Sequence, residues 1–394
     1  MGFFVPQSSL VNLKNYKYSS EDRSIVTKYI LKPFWTKFAL IFPTWMAPNL
    51  VTLLGFCFIL INVATTLYYD PSLTQESPRW TYFSYALGLF LYQTFDACDG
   101  MHARRTGQSG PLGELFDHCV DSLNTTLSIL PFCSAMGMGY THILIFAQFS
   151  CLCNFYLSTW EEFHTHKLFL SEFSGPVEGI LGLVGFFILT GIFGQDAIWN
   201  VHLFDITLFV NKPFNVTTSH ALIYLIVIGI IFNIISARRN VIEYYEKNTP
   251  SENRTAIEKN INNAFKGLLP FILFYIPVFF LISIQPNFIN LPFILSIGFT
   301  MAFVVGRIIV GHLTQQHYPM INPPMFLPVL QIATYLFMVN GLNYEQITVS
   351  TALSWFGFGL SVGMHAFFIN EIIYEFTTYL DMYALSIKHP KKLS

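Results

Sequence analysis

The sequence predicts an all-α, polytopic integral membrane protein with about ten transmembrane helices, a six-helix bundle followed by four more. Three observations carry that expectation. Of 394 residues, 53% are hydrophobic and only 11% are charged, against about 25% charged in soluble domains. The mean hydropathy is +0.48. Apolar runs approaching the roughly 20 residues needed to cross a bilayer recur along the whole chain.

The same composition excludes other classes. A net charge of −2 without a basic patch argues against a nucleic-acid partner. The six cysteines, Cys57, Cys98, Cys119, Cys133, Cys151 and Cys153, show no C-x-x-C spacing and read as small buried hydrophobes.

Residues 1–45 come first. They mix lysines with aromatic and apolar residues and fit either an interfacial amphipathic helix or a cytosolic tail. No signal-peptide pattern is expected there, and Pro6 stands where a myristoylation motif wants Ser or Thr. The spans follow at Leu50–Tyr69, Tyr82–Phe95, Cys119–Met138, Ile143–Leu157, Val177–Phe193 and Leu222–Ile235. These make up an expected bundle over 46–237. A polar linker with some helix, 238–267, separates it from a C-terminal region, 268–394, with spans at Leu268–Ile284, Pro292–Val310, Phe326–Val339 and Val349–Ile373. The second span is short. It reaches full length only if its helix runs past the membrane surface into the acidic stretch that follows.

Lys and Arg are retained on the cytosolic side of a membrane. Lys14, Lys17, Arg23, Lys28, Lys32 and Lys37 share a side with Arg104, Arg105, Lys167, the Arg238–Lys266 segment, Lys388, Lys391 and Lys392; the other side has Arg79 and Lys212. Both termini and the acidic stretch are therefore expected in the cytosol. Of the sequons at Asn124, Asn215 and Asn253, only Asn215 falls in an expected luminal loop.

The acidic stretch, "DACDGMHARRTGQSGPLGELFDHCVD", runs from Asp96 to Asp121. Asp96 and Asp99 are spaced i, i+3, and Asp117 and Asp121 i, i+4, so each pair shares a helix face. The intervening "RRTGQSGPLG" predicts a turn that sets the two helices face to face. Carboxylates so gathered repel, and a hard divalent cation relieves the repulsion: Mg²⁺, Mn²⁺ or Ca²⁺, with two ions plausible for four carboxylates. A two-metal site suits in-line displacement at phosphorus. Gly100, Ala103 and Gly113 lie on or near the same faces, where a missing side chain lets a flat ligand approach or two helices pack closely. Arg104 suits a phosphate or an Asp partner.

Asp96-x2-Asp99-Gly100-x2-Ala103-Arg104-x8-Gly113-x3-Asp117-x3-Asp121 matches every fixed position of the CDP-alcohol phosphotransferase signature. The chain resembles the CDP-alcohol phosphatidyltransferase class-I family, and within it the fungal choline/ethanolaminephosphotransferase branch. "FPTWMAPNLVTLLGF", "YLSTWEEFHTHKL", "SGPVEG" and "YLDMYALSIKHP" extend the likeness nearly end to end. The resemblance implies transfer of a phospho-alcohol group from CDP-choline or CDP-ethanolamine to diacylglycerol, with CMP leaving and no covalent enzyme intermediate. It implies that Asp96, Asp99, Asp117 and Asp121 hold the metal, that "PNLVT" sets Asn49 and Thr52 near the nucleotide, and that the protein is a homodimer of the endoplasmic reticulum or Golgi.

The wider family often gives the role of base to the last signature Asp, here Asp121. A carboxylate on a cation is a poor base, so His118 is favoured, as in the aminoalcohol branch, with Asp121 on the metal. Glu114, one turn earlier, either orients the His118 ring or adds an oxygen ligand. For a cationic headgroup, Tyr92, Tyr156, Trp160, Glu161, Glu162 and Glu178 are candidates. His164 and His166 form an "HTH" without a partner motif, and His365, Asn370 and Glu371 are polar groups of the last span without an assigned role. Two other functions fit less well. CDP-diacylglycerol-dependent enzymes such as phosphatidylinositol synthase resemble shorter chains. A cation transporter predicts acids spread over several spans.

Overall fold

The computed structural model describes residues 2–16, 19–22, 24–170, 175–206, 214–249 and 254–389. Lys17, Arg23, Lys212, Asn253, Lys391 and Lys392, named above, lie outside them. The helices in chain order are α1 (Gln7–Leu10), α2 (Lys32–Phe38), α3 (Pro48–Tyr69), α4 (Arg79–Thr106), α5 (Pro111–Leu127), α6 (Ile129–Met136), α7 (His142–Thr165), α8 (Pro176–Phe193), α9 (Gln195–Trp199), α10 (Thr218–Asn248), α11 (Arg254–Lys266), α12 (Leu269–Ile284), α13 (Leu291–Leu313), α14 (Leu327–Leu336) and α15 (Gln346–Leu380). Strand β1 (Ser20–Asp22) pairs in parallel with β2 (Leu168–Leu170), and β3 (His202–Ile206) antiparallel with β4 (Phe214–Thr217). The protein is all-α and crosses the membrane several times.

Among the described residues, eight helices are long and apolar enough to cross a membrane, against the ten or so expected. The two expected spans not among them are the ones that carry the acidic stretch. α4 has 28 residues, about 42 Å at 1.5 Å per residue, and so outruns a hydrocarbon layer of about 30 Å. Its C-terminal turns carry Asp96, Asp99, Arg104 and Arg105 beyond the apolar part, as the short second run required. The third expected span is split at Ser128 into α5 and α6. Pro131 has no N–H to return to the Leu127 carbonyl one turn back, which opens the ladder there.

The turn between α4 and α5 follows from its residues. Gly107 takes φ +71° and ends α4, with Gln108 N–H returning to Ala103 O at 2.8 Å. Gly110 is extended, and Pro111 opens α5 at its first position. Pro48 and Pro176 open α3 and α8 in the same way. α3 and α4 approach closely at Gly88, where a Cβ would stand 2.6 Å from the Asn62 side chain.

The two halves of the chain interlock. α13 packs on α5, α7 and α15 and is buried along most of its length, whereas α10 is largely exposed. α13 is thus the central post and α10 a peripheral helix. The stretch read as a linker with some helix is helical over its described part, as the end of α10 and as α11.

The N-terminal segment has two parts. Phe4 inserts between Phe303 and Phe368, and its N–H donates to Glu371 Oε1 at 2.7 Å. Farther on, α2 and the turn before it bury Leu31 and Trp35 and expose Tyr29, Ile30 and Phe34 beside Lys28, Lys32 and Lys37. That pattern fits the interfacial alternative. Arg105 fixes this segment to α4 by donating to Ala39 O and Phe42 O. The C-terminal tail returns over the start of α3, with Ser386 bridging to Met46. Lys388 and His389 pair with Asp381 and hold its carboxyl below the usual range. Asn215 is exposed on β4.

Candidate active site

The site forms where the last turns of α4, the first turns of α5 and the start of α3 meet. Asp96 and Asp99 leave one face of α4. One oxygen each from Asp96, Asp99 and Asp117 lies within 4.8 Å of the others. Thr52, near the start of α3, donates its hydroxyl to Asp99 Oδ2. Tyr92, one turn before Asp96 on α4, donates to Asp121 Oδ1. The spacing thus placed the four aspartates on facing helices, and packing added a hydroxyl to two of them.

Asp96 Oδ1 and Asp117 Oδ1 are buried and accept no hydrogen bond from a described residue. An unpaired buried acceptor costs about 1–3 kcal/mol, more when charged. The nearby cation, Arg104, is exposed. Bare oxygens of acceptor-only groups, converging on one point, match the donor set of a hard divalent cation. The residues therefore fit a metal site.

Gly100 and Gly113 border open space. A Cβ on Gly113 would meet nothing nearer than Asn49 Oδ1 at 3.9 Å, and one on Gly100 only Arg104 Nη1 at 3.6 Å. Close helix packing, the other reading of these glycines, does not occur at them. Ala103 is half-buried one turn from Asp99. Asn49 donates its amide to Ala384 O at 2.9 Å, so the tail holds it.

His118 is 8% exposed, and its Nδ1 stands 3.8 Å from Glu162 Oε2 on α7. Of the two readings of Glu114, the contact with His118 is not made. Glu114 turns away to accept the Tyr16 hydroxyl at Oε2 and to face His312 Nδ1 at 3.9 Å from Oε1. One turn of helix puts two side chains on one face but does not make them partners when other elements supply stronger ones.

The other candidates divide. Tyr92 and Glu162 reach the site. Tyr156 donates to Gly267 O at 2.6 Å, Trp160 to Ala264 O at 2.8 Å, and Asn240 to Glu161 at 2.6 Å. These three pin the α10–α12 segment against α7. Glu178 accepts the Ser24 hydroxyl and keeps Oε2 unpartnered. His164 bonds Tyr245 OH at 3.0 Å, and His166 bonds His312 at 3.1 Å, so the two "HTH" histidines face different partners. His365 packs on Phe299, Asn370 bonds its own helix at Ala366 O, and Glu371 takes Phe4.

Tyr16 and His312 were not legible as site neighbours. His312 stands at the end of an apolar helix with no motif around it, and Tyr16 is one aromatic among several.

Comparison with known proteins gives concordant results. A family model described as CDP-alcohol phosphatidyltransferase matches residues 45–210. The chain is 59% identical over 394 residues to cholinephosphotransferase 1 of Saccharomyces cerevisiae, covering 100% of both chains. It is 58% identical over 392 residues to choline/ethanolaminephosphotransferase 1 of the same yeast, covering 99% of this chain and 100% of that one. Choline/ethanolaminephosphotransferase 1 of Arabidopsis thaliana is 32% identical over 393 residues, 98% of each chain.

Proposed function

The chain belongs to the CDP-alcohol phosphatidyltransferase family, and on that premise we propose that it transfers phosphocholine, phosphoethanolamine or both from the CDP-aminoalcohols to diacylglycerol. The products are phosphatidylcholine or phosphatidylethanolamine and CMP. One observation carries the reading: three carboxylates from two helices converge, two with bare oxygens, beside glycines that leave room for a ligand.

Asp96, Asp99, Asp117 and Asp121 would hold Mg²⁺ or Mn²⁺, two ions by the number of carboxylates. Bound there, the metal supplies neutralisation of the pyrophosphate and a more electrophilic phosphorus. Gly100, Ala103 and Gly113 make room for the donor, Arg104 meets its phosphates, and Asn49 and Thr52 border the nucleotide. His118 Nδ1 faces Glu162, which leaves Nε2 to take the proton of the acceptor hydroxyl. That oxygen attacks the phosphorus nearest the aminoalcohol. The bridging P–O bond breaks, and CMP keeps the bridging oxygen. Asp121, which accepts the Tyr92 hydroxyl and would help hold the metal, is not the base in this scheme.

Residues 46–237 form the catalytic bundle in this reading, with 238–267 as a cytosolic linker. The region 268–394 serves dimerisation or the lipid path. The charge asymmetry supports a cytosolic site and cytosolic termini, and the family supports a homodimer in the endoplasmic reticulum or Golgi.

The test is CMP release by purified protein in diacylglycerol-containing micelles. CDP-choline, CDP-ethanolamine or both should support turnover, CDP-diacylglycerol with inositol should not, and a chelator should stop it until Mg²⁺ or Mn²⁺ is restored. Full turnover under exhaustive chelation, or turnover with CDP-diacylglycerol alone, would overturn the proposal.

A further inference from the structure

A second group of metal-ligating side chains stands beside the aspartates. Glu114 of α5, Glu162 of α7 and His312 of α13 each place one ligand atom within 4.8 Å of the others. These residues are far apart in sequence and come from three helices. Glu114 and Glu162 are only 8% and 5% exposed. Glu114 Oε1 has no hydrogen-bond partner and points at His312 Nδ1, 3.9 Å away. The side chain of Glu162 accepts no hydrogen bond from a described residue, and its Oε2 stands 3.8 Å from His118.

The surroundings orient these ligands. Tyr16 holds the other oxygen of Glu114. His312 Nε2 is hydrogen-bonded to His166 Nδ1 at 3.1 Å. When Nε2 carries that proton, Nδ1 turns a bare lone pair toward an unpartnered carboxylate oxygen. Metal-bound histidines usually have such a partner on the far ring nitrogen. A cavity of about 460 Å³, lined by His166, His312, His164, Tyr244 and Tyr245 among others, leads to His312 from outside.

We propose that Glu114, Glu162 and His312 form a binding site for a borderline transition-metal ion of the Zn²⁺ type, distinct from the all-oxygen aspartate site. Two carboxylates and an imidazole suit Zn²⁺ better than Mg²⁺, which prefers oxygen alone and sheds water reluctantly. Tetrahedral Zn²⁺ ligands stand about 3.4 Å apart, so the three groups need to close by roughly an ångström, with water in the fourth position. Because Glu162 also faces His118, an ion there draws that carboxylate away and slows the transferase. This consequence rests on the reading of His118 as base; the binding itself does not.

The experiment measures Zn²⁺ retained by full-length protein in detergent after desalting against a roughly hundredfold excess of Mg²⁺, and the visible spectrum of the Co²⁺-loaded protein. The expected result is one ion per chain and a tetrahedral Co²⁺ spectrum. His312→Ala and Glu162→Gln should each weaken binding by roughly 10–100-fold or more, while Asp96→Asn with Asp99→Asn should retain the ion. Melting curves identify variants that fail to fold, and the wild-type Co²⁺ spectrum does not depend on any variant. No ion retained by the wild type, an octahedral Co²⁺ spectrum, or equal binding by folded His312→Ala overturns the site. Zn²⁺ bound with unchanged turnover keeps the site and overturns the regulatory consequence.

Discussion

Glu162→Gln tests the catalytic reading most directly. The substitution keeps the shape of the side chain and removes its charge 3.8 Å from His118 Nδ1. If His118 gains a proton as the acceptor attacks, the new imidazolium lies opposite that carboxylate. At an effective dielectric near 20, unit charges at this separation attract by about 4 kcal/mol. That is an upper bound of roughly a thousandfold in rate, at 1.36 kcal/mol per decade. The expected outcome is a fall in kcat of about 10²–10³-fold with the KM for CDP-choline unchanged, measured as CMP release at saturating diacylglycerol in Mg²⁺ buffer free of other metals. Glu162→Asp, which keeps the charge about an ångström farther off, should recover much of the loss. A raised KM with normal kcat would refute the reasoning, since Glu162 would then bind the cationic headgroup. So would a Gln variant within threefold of wild type.

Three further outcomes are expected. His118→Ala should lower turnover by about 10²–10⁴-fold with donor affinity intact, whereas Asp121→Asn should also weaken the metal dependence; isothermal titration with the CDP-aminoalcohol and a Mg²⁺ series separate the two. Gly113→Ala should melt at the wild-type temperature, because its Cβ meets nothing closer than 3.9 Å, yet should raise the KM for the donor; an unchanged KM shows that the open space is not the donor's. Gly88→Val forces a side chain into Asn62, only 2.6 Å from the nearest Cβ position, and overpacking of this kind costs about 1–3 kcal/mol, visible as a lower melting temperature in detergent.

The sequence by itself determined where most of the helices run and how the acidic residues are spaced along two of them. Asp96/Asp99 and Asp117/Asp121 are set on helix faces by spacing alone, since 3.6 residues per turn is a local rule. Gly107, Gly110 and Pro111 fix the turn between them because each restricts its own backbone. The extension of the second helix beyond its apolar run was legible for the same reason. Tertiary structure alone decided which side chains meet across helices. It gave His118 to Glu162 instead of Glu114, tied Glu114 to Tyr16 and His312, put Arg105 on the interfacial segment and drove α13 through the centre. In a soluble helix an apolar stripe announces the packed face. A helix in lipid is apolar on all sides, so its packing comes from fit between small and large residues and from scattered polar bonds. Such complementarity has no period along the chain, and only the folded molecule reveals it.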